Sequence, residues 1–264
     1  VFWFQSDAVI NRRSGGSTWT ETVVAASGNQ VVCGNGVSDR GFLVGLWPAL
    51  VFDSTGKLYF AYRDGHAGQF PQQDWAGSDV ELWEGPLPPT TAICLAPGGN
   101  TKSAWGGHNQ LVMGPADQPA IIYDQMFGTG DTNGINVIFQ QRNSATGSWS
   151  SPAKLLNISN TQTGASLAYD VQEGFGIAVV DRATNELSYT HSLNGTAWSA
   201  LDSVFGAGTG GWYPSLAMDP VNHEPAIAFY ICSPRGSINE TGCTNSEDRL
   251  MVTQRVSGTW QEKL

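Results

Sequence analysis

The chain of 264 residues is poor in basic residues, in cysteine and in long apolar runs. It has 13 Lys and Arg against 23 Asp and Glu, and the resulting net charge of −10 repels phosphate backbones and anionic membranes. No apolar run approaches the roughly 18 residues that cross a bilayer, and the first residues, VFWFQSD, lack the basic head of a signal peptide. We therefore expect no nucleic acid partner and no membrane insertion, and we expect a chain trimmed from a longer precursor.

Several motifs that carry chemistry are also missing. The sequence has no G-x-S-x-G, H-E-x-x-H or P-loop pattern, and its four cysteines form no C-x-x-C pair, so we expect no structural zinc site of that kind. Two disulfides fit the cysteines better, Cys232 with Cys243 and Cys33 with Cys94. Because disulfides persist in oxidising compartments, the sequence predicts a secreted, cell-surface or periplasmic protein.

What the chain does have is an internal repeat. SLAYD, GFGIAVVD, ELSYTHS and NGTAWSALDSV follow one another, and the same order returns as SLAMD, EPAIAFY, RLMVTQR and SGTWQEKL. Each unit holds four short alternating runs between turn residues, which indicates four antiparallel strands. The leucines Leu50, Leu111, Leu167 and Leu216 anchor four copies at intervals of 61, 56 and 49 residues. Repeats of this length with four strands each are typical of a β-propeller.

The repeats predict an all-β chain with about five blades in a single domain over residues 1–264. We place the blades at about 1–26, 46–97, 108–157, 164–205 and 213–264. The first blade lacks its inner strand in this alignment, so we expect an upstream segment of the same precursor to be a partner.

The turns SGGSTW, TGSW, NGTAW and SGTW place a tryptophan at the start of the fourth strand of four blades, as Trp19, Trp149, Trp198 and Trp260. With these turns the chain resembles secreted bacterial β-propellers that have sialidase-like or Asp-box-like repeats, here degenerate. It is similar in looser outline to five-bladed lectin propellers. The resemblance implies a propeller that is lectin-like in its binding. We expect the four tryptophans themselves to pack between blades.

The predicted connections divide into short turns and long loops. The short turns after the first strand of a blade contain Asp53, Asp170 and Asp219, which we interpret as structural, together with His223. The long loops follow the second strand, at 63–79, 125–136 and 232–248. Long loops on one face of a regular scaffold are where ligands usually bind.

We therefore interpret the chain first as a binding or adhesion propeller for a carbohydrate or another polar cell-surface ligand, and we favour binding over catalysis. Aromatic residues near the long-loop face offer stacking surfaces, and aspartates at the ends of second strands offer acceptors. The residues predicted to bind the ligand are Trp47, Trp105, Trp212, Tyr213, Asp64, Asp124 and Asp181.

Two alternatives stay open. When the anchor leucines are aligned, the position three residues earlier holds Trp47, His108, Gly164 and Tyr213. His108 and His66 could form a copper or zinc site, and Asp-rich and Asn-rich loops such as 130–134 could bind calcium. The second alternative is a glycoside hydrolase in which Asp64 is paired with Asp124 or Asp181.

Overall fold

A computed structural model describes most of the chain, and its architecture is all-β. The described residues are 6–26, 33, 43–65, 78–97, 104–126, 135–158, 164–181, 184, 186–205, 210–231 and 249–263. They form two compact units, the first of Val1–Leu111 with Tyr123–Asp131 and the second of Val112–Ile122 with Thr132–Leu264. No helix in the described part is long and apolar enough to cross a membrane.

The strands form five antiparallel sheets, which we number in chain order. Sheet 1 has two described strands and sheets 2 to 5 have four strands each. Sheet 1 contains β1 (Ala8–Arg13) and β2 (Trp19–Ala25), and sheet 2 contains β3 (Val44–Phe52), β4 (Leu58–Asp64), β5 (Asp79–Gly85) and β6 (Thr91–Ala96). Sheet 3 contains β7 (Ala104–Met113), β8 (Pro119–Met126), β9 (Ile135–Gln141) and β10 (Ala153–Ile158). Sheet 4 contains β11 (Ala165–Asp170), β12 (Gly174–Asp181), β13 (Glu186–Ser192) and β14 (Asp202–Phe205), and sheet 5 contains β15 (Trp212–Met218), β16 (Pro225–Ile231), β17 (Arg249–Val256) and β18 (Thr259–Lys263).

In sheets 2 to 5 each strand pairs with its neighbour in sequence, as the repeat predicts. Sheet 1 has β1 and β2 among the described residues, and a first blade without its inner strand stays a prediction. The prediction of a single domain with those blade limits stays a prediction.

Buried apolar clusters lie between sheets 1 and 2 and between sheets 4 and 5. Every residue of β4 is buried, because that strand has packed side chains on both of its faces. The anchors Leu111, Leu167 and Leu216 are also buried, whereas Leu50 in β3 is 48% exposed. The leucine repeat therefore marks the packing of one sheet on the next.

The short turns are held by aspartate side chains, as we expected. Asp170 Oδ1 accepts the backbone N–H groups of Gln172 and Glu173, and Asp219 Oδ1 accepts those of Val221 and Asn222. These contacts fix the chain reversal locally, so the carboxylates have a structural role.

The turn before Trp198 has Asn194 in place of the aspartate of an Asp-box repeat, and it keeps the hydrogen bonds of such a turn. Asn194 Oδ1 accepts hydrogen bonds from the N–H and hydroxyl of Thr196 and from the N–H of Ala197. The amide oxygen thus does what an aspartate oxygen would do. Trp198 and Trp260 then pack on aromatic residues of the preceding sheet, which confirms the expected packing role of these two tryptophans.

One predicted disulfide, Cys33–Cys94, is present. The other predicted pair, Cys232 with Cys243, lies outside the described residues.

Candidate functional site

The position three residues before each anchor leucine adopts an unusual backbone conformation in all four copies. The φ angle is 47° at Trp47, 51° at His108, 73° at Gly164 and 54° at Tyr213. Side-chain-bearing residues avoid this left-handed region, and glycine enters it without strain. The copy with Gly164 shows that the fold accepts glycine here. The other three copies carry a large ring at a conformational cost, and such outliers point to function.

Two glycines bring His108 against its neighbours in the first compact unit. A Cβ on Gly106, whose φ is 92°, would lie 3.0 Å from both Arg63 Cβ and Val80 Cγ2. A Cβ on Gly107 would lie 3.3 Å from Asp124 Cβ. The start of β7 therefore lies close to β4 and β8, which brings His108 to the carboxylate of Asp124.

His108 and Asp124 form a hydrogen-bonded pair, with Nδ1 and Oδ2 separated by 2.7 Å. The side chain of Asp124 is only 5% exposed, and that of His108 is 27% exposed. Burial raises the pKa of Asp124, although the hydrogen bond and charge of His108 and the charge of Arg63 oppose this shift. The pair thus joins a carboxyl group that tends to keep its proton to an imidazole that reaches the surface.

Arg63 contacts the ring of Trp47, and its charge acts on Asp124. Its guanidinium carbon is 5.3 Å from the centre of the Trp47 ring, and that ring is 5.5 Å from the His108 ring. Arg63 is almost fully buried, and burial lowers its pKa to about 10 while the charge of Asp124 opposes the shift. Trp47 is therefore held between a cation and an imidazole, with 39% of its surface exposed.

Asn109 connects the same residues through the backbone. Its Nδ2 donates to the carbonyl oxygen of Trp47 at 3.1 Å, and it is 6% exposed. This bond ties the strained backbone of β3 to the residue that follows His108. Trp47, Arg63, His108, Asn109 and Asp124 form one connected cluster, which we call the Trp47–Asp124 site.

A second histidine–aspartate pair, in the second compact unit, has similar geometry but a different environment. His223 Nδ1 lies 2.8 Å from Asp170 Oδ2. Burial opposes ionisation of Asp170, but bonds from His223 and from two backbone N–H groups together hold its pKa below the usual value. Because its carboxylate is committed to the turn, this pair is structural, as we expected for both residues.

The remaining predicted ligand residues do not all offer a surface. Tyr213 is 51% exposed, whereas Trp212 is fully buried and packs against Tyr230. Asp64 is fully buried at the end of β4. Trp105 lies with its ring 6.1 Å from that of Tyr123, and its backbone bonds to Ser78.

The side chain of Asp181 is outside the described part of the structure, and so are His66 and residues 130–134. Among the residues that the structure does describe, no three His, Cys, Asp or Glu side chains are grouped as metal ligands would be. The copper, zinc and calcium sites stay predictions.

Comparison with known proteins gives fold similarity without sequence similarity. No family model matches the chain, and no curated protein matches it. An α-L-arabinofuranosidase of Fusarium graminearum, solved with arabinobiose, superposes with a TM-score of 0.56 at 11% identity, over 82% of this chain and 66% of that one. A Penicillium chrysogenum α-L-arabinanase gives 0.55 at 10% identity over the same shares. An N-acetylgalactosamine deacetylase from F. plautii gives 0.51 at 12% identity, over 90% and 74%.

The fold is a β-propeller. The sheets fit a propeller of about five blades, which confirms the predicted fold class. This chain spans 66% of the length of the arabinofuranosidase and of the arabinanase.

The comparisons also correct two expectations. We interpreted the chain as a binding or adhesion protein, and we favoured binding over catalysis. The solved propellers that it is similar to are enzymes, among them glycoside hydrolases, so both expectations are wrong. The sialidase-like character of the repeats is not confirmed.

Sequence reasoning missed two members of the Trp47–Asp124 site, Arg63 and Asn109. Arg63 had a usable signal, because a cation within the apolar run LYFAYRD of a central strand must have a partner. Asn109 had none, because its contact with Trp47 joins residues far apart in sequence.

Proposed function

We propose that the chain is a glycoside hydrolase whose substrate binds at the Trp47–Asp124 site. The observation that carries the proposal is the cluster itself: an exposed indole in a strained backbone beside a histidine on a buried carboxyl group. An indole face is a common platform for a sugar ring, and the neighbouring pair supplies a proton donor.

Asp124 and His108 act together as the acid. Cleavage of a glycosidic bond needs a proton on the leaving oxygen, and glycosidases use a carboxyl group whose pKa is raised. Burial gives Asp124 this property. Because Asp124 itself is almost covered, the more exposed His108 donates its Nε2 proton to the leaving oxygen and takes the proton of Asp124 on Nδ1.

Asp64 is the second carboxylate of the proposal. It ends β4 as Asp124 lies near the end of β8, so successive sheets bring a carboxylate to the same end of their second strand. Most glycosidases need such a pair, one as acid and one as base or nucleophile. Asp64 is buried, so in this role the attacking water has to reach it from the surface.

The protein works outside the cytoplasm in this proposal. The disulfide Cys33–Cys94 supports an oxidising compartment, and the net charge of −10 favours solubility without attraction to anionic surfaces. An extracellular polysaccharide or glycoconjugate is the matching substrate.

The test is an activity screen on the purified chain. Aryl glycosides, including the α-L-arabinofuranoside, and arabino-oligosaccharides are incubated with the protein, and released sugar is quantified by chromatography. We expect hydrolysis of at least one substrate, and we expect Trp47→Ala to raise KM more than it lowers kcat because the indole binds rather than reacts. If the chain binds oligosaccharides and releases no sugar from any of them, the proposal is wrong.

A further inference from the structure

The second compact unit contains a groove of about 380 Å³ between sheets 3 and 4. Phe139 and Trp198 form aromatic walls, and Ser150, Thr196 and Lys154 supply polar groups. None of these residues belongs to the Trp47–Asp124 site. The volume lies within the range of about 300 to 1,000 Å³ that is usual for small-ligand pockets.

The next sheet junction, between sheets 4 and 5, has the same aromatic packing. Trp198 meets Phe139 edge to face, with ring centres 5.2 Å apart at 74°. Trp260 meets Tyr189 at 5.5 Å and 71°. Phe139 pairs with Ala153 across β9 and β10, and Tyr189 pairs with Asp202 across β13 and β14. Ala153 and Asp202 therefore occupy equivalent places beside the two tryptophans.

This equivalence shows which group the groove lacks. Asp202 Oδ2 accepts the indole N–H of Trp260 at 2.7 Å. The indole nitrogen of Trp198 is buried and has no hydrogen-bond partner among the described residues. A buried donor without an acceptor is costly, so a group that supplies a carboxylate here gains a bond that the protein alone does not make.

The groove also differs in charge from the junction between sheets 4 and 5. Ile138 pairs with Lys154, and at the equivalent place Ser188 pairs with Ser203. The groove thus has Ala153 and Lys154 where the next junction has Asp202 and Ser203. Relative to the next junction the groove lacks the aspartate and gains a lysine, in a chain whose net charge is −10, which favours an anionic ligand at this place.

We propose that this groove binds a carboxylate-bearing sugar of the uronic acid class. The carboxylate takes the place that Asp202 has beside Trp260, accepting the indole N–H of Trp198 next to Lys154. The aromatic walls pack on the sugar ring, and the hydroxyls of Ser150 and Thr196 bond to its hydroxyl groups. This ligand site is independent of the proposed hydrolase activity.

Isothermal titration calorimetry on the full chain tests the proposal with galacturonate and, as the neutral counterpart, galactose. We expect saturable binding of galacturonate and at least about tenfold weaker binding of galactose, because a charged hydrogen bond is lost. Ala153→Asp supplies the missing carboxylate from the protein. It is expected to weaken galacturonate at least about tenfold and to raise Tm by about 2 to 4 °C. Lys154→Gln is expected to weaken binding, and Lys57→Gln, which changes a lysine outside the groove, to leave it unchanged.

Three results would overturn the proposal. Galacturonate gives no saturable heat, galactose binds equally well, or Ala153→Asp binds galacturonate as the parent chain does. Because Ala153 is exposed, its replacement is compatible with folding. A lower Tm in that variant would show that the indole N–H does not take a carboxylate at this place and would equally overturn the proposal.

Discussion

At the left-handed backbone position three residues before each anchor leucine, we predict that glycine stabilises the fold more than alanine does. At an ordinary strand position, glycine is less favourable than alanine by about 0.5 to 1 kcal/mol. At Tyr213, where φ is 54°, alanine retains a conformational penalty of about 1 to 2 kcal/mol that glycine avoids. The two effects oppose each other, so Tyr213→Gly should be more stable than Tyr213→Ala by up to about 1.5 kcal/mol.

Both variants lose the same tyrosine ring and its contacts, so their difference reports the backbone alone. The assay is urea unfolding followed by fluorescence, and the free energy of unfolding is compared between the two variants. Val252 in β17 is the matched control, because it is a partly exposed strand residue without a positive φ. There we expect the usual order, with alanine above glycine. Tyr213→Ala equal to or more stable than Tyr213→Gly would refute the argument that this position carries its ring at a cost.

Two further predictions concern proton binding and the disulfide. The pKa of Asp124 is raised by burial. Its contribution to the free energy of unfolding is therefore complete below its ordinary pKa of 3.8 and is lost as pH rises through its folded-state pKa. Relative to Asp124→Asn, the parent chain should lose stability as pH increases. Asp170 has a lowered pKa, so the parent chain's advantage over Asp170→Asn should be present above 3.8 and disappear as pH falls through the folded-state value. Urea unfolding at a series of pH values measures both differences in the free energy of unfolding. If these differences changed with pH in the same direction for the two aspartates, the assignment of their environments would be contradicted. Replacing Cys33 and Cys94 together by serine opens a link of sequence separation 61 and should cost roughly 4 kcal/mol of unfolding free energy, whereas a loss below about 1 kcal/mol would mean that the link constrains the unfolded chain little.

The fold could be predicted from the sequence because the repeat is present at several levels. Strand alternation, turn residues and the spaced leucines all indicate the same four-stranded unit, and Leu111, Leu167 and Leu216 are buried accordingly. These signals are local or periodic. They need no knowledge of which distant residues meet.

The site was predicted in part, and its errors have physical reasons. Aligning the repeats singled out His108, Trp47 and Tyr213, but the left-handed backbone that unites them leaves no simple mark in composition. Trp212 and Tyr213 were both expected to face the ligand. Neighbouring residues of a strand point to opposite faces, and the structure buries Trp212 while it exposes Tyr213. The contacts of Arg63 and Asn109 join separate strands, so only the folded chain shows them.

The preference for binding over catalysis followed from the lack of a catalytic motif. In the proposed site Asp64 and Asp124 come from separate sheets, so no short pattern contains them. Asp124 and His108 are 16 residues apart in sequence and meet because β7 and β8 are neighbouring strands, with Gly107 lying against Asp124.

The central claim is that Asp124, paired with His108, is the acid of a glycoside hydrolase. The most direct measurement is kcat/KM on the substrate found by the screen, for the parent chain, Asp124→Asn and Asp170→Asn. The two aspartates are matched, since each bonds a histidine Nδ1, at 2.7 and 2.8 Å. We predict that Asp124→Asn lowers kcat/KM by about 10²-fold to 10⁴-fold while Asp170→Asn keeps the parent value in the folded state. Equal activity of Asp124→Asn and the parent chain would contradict the claim.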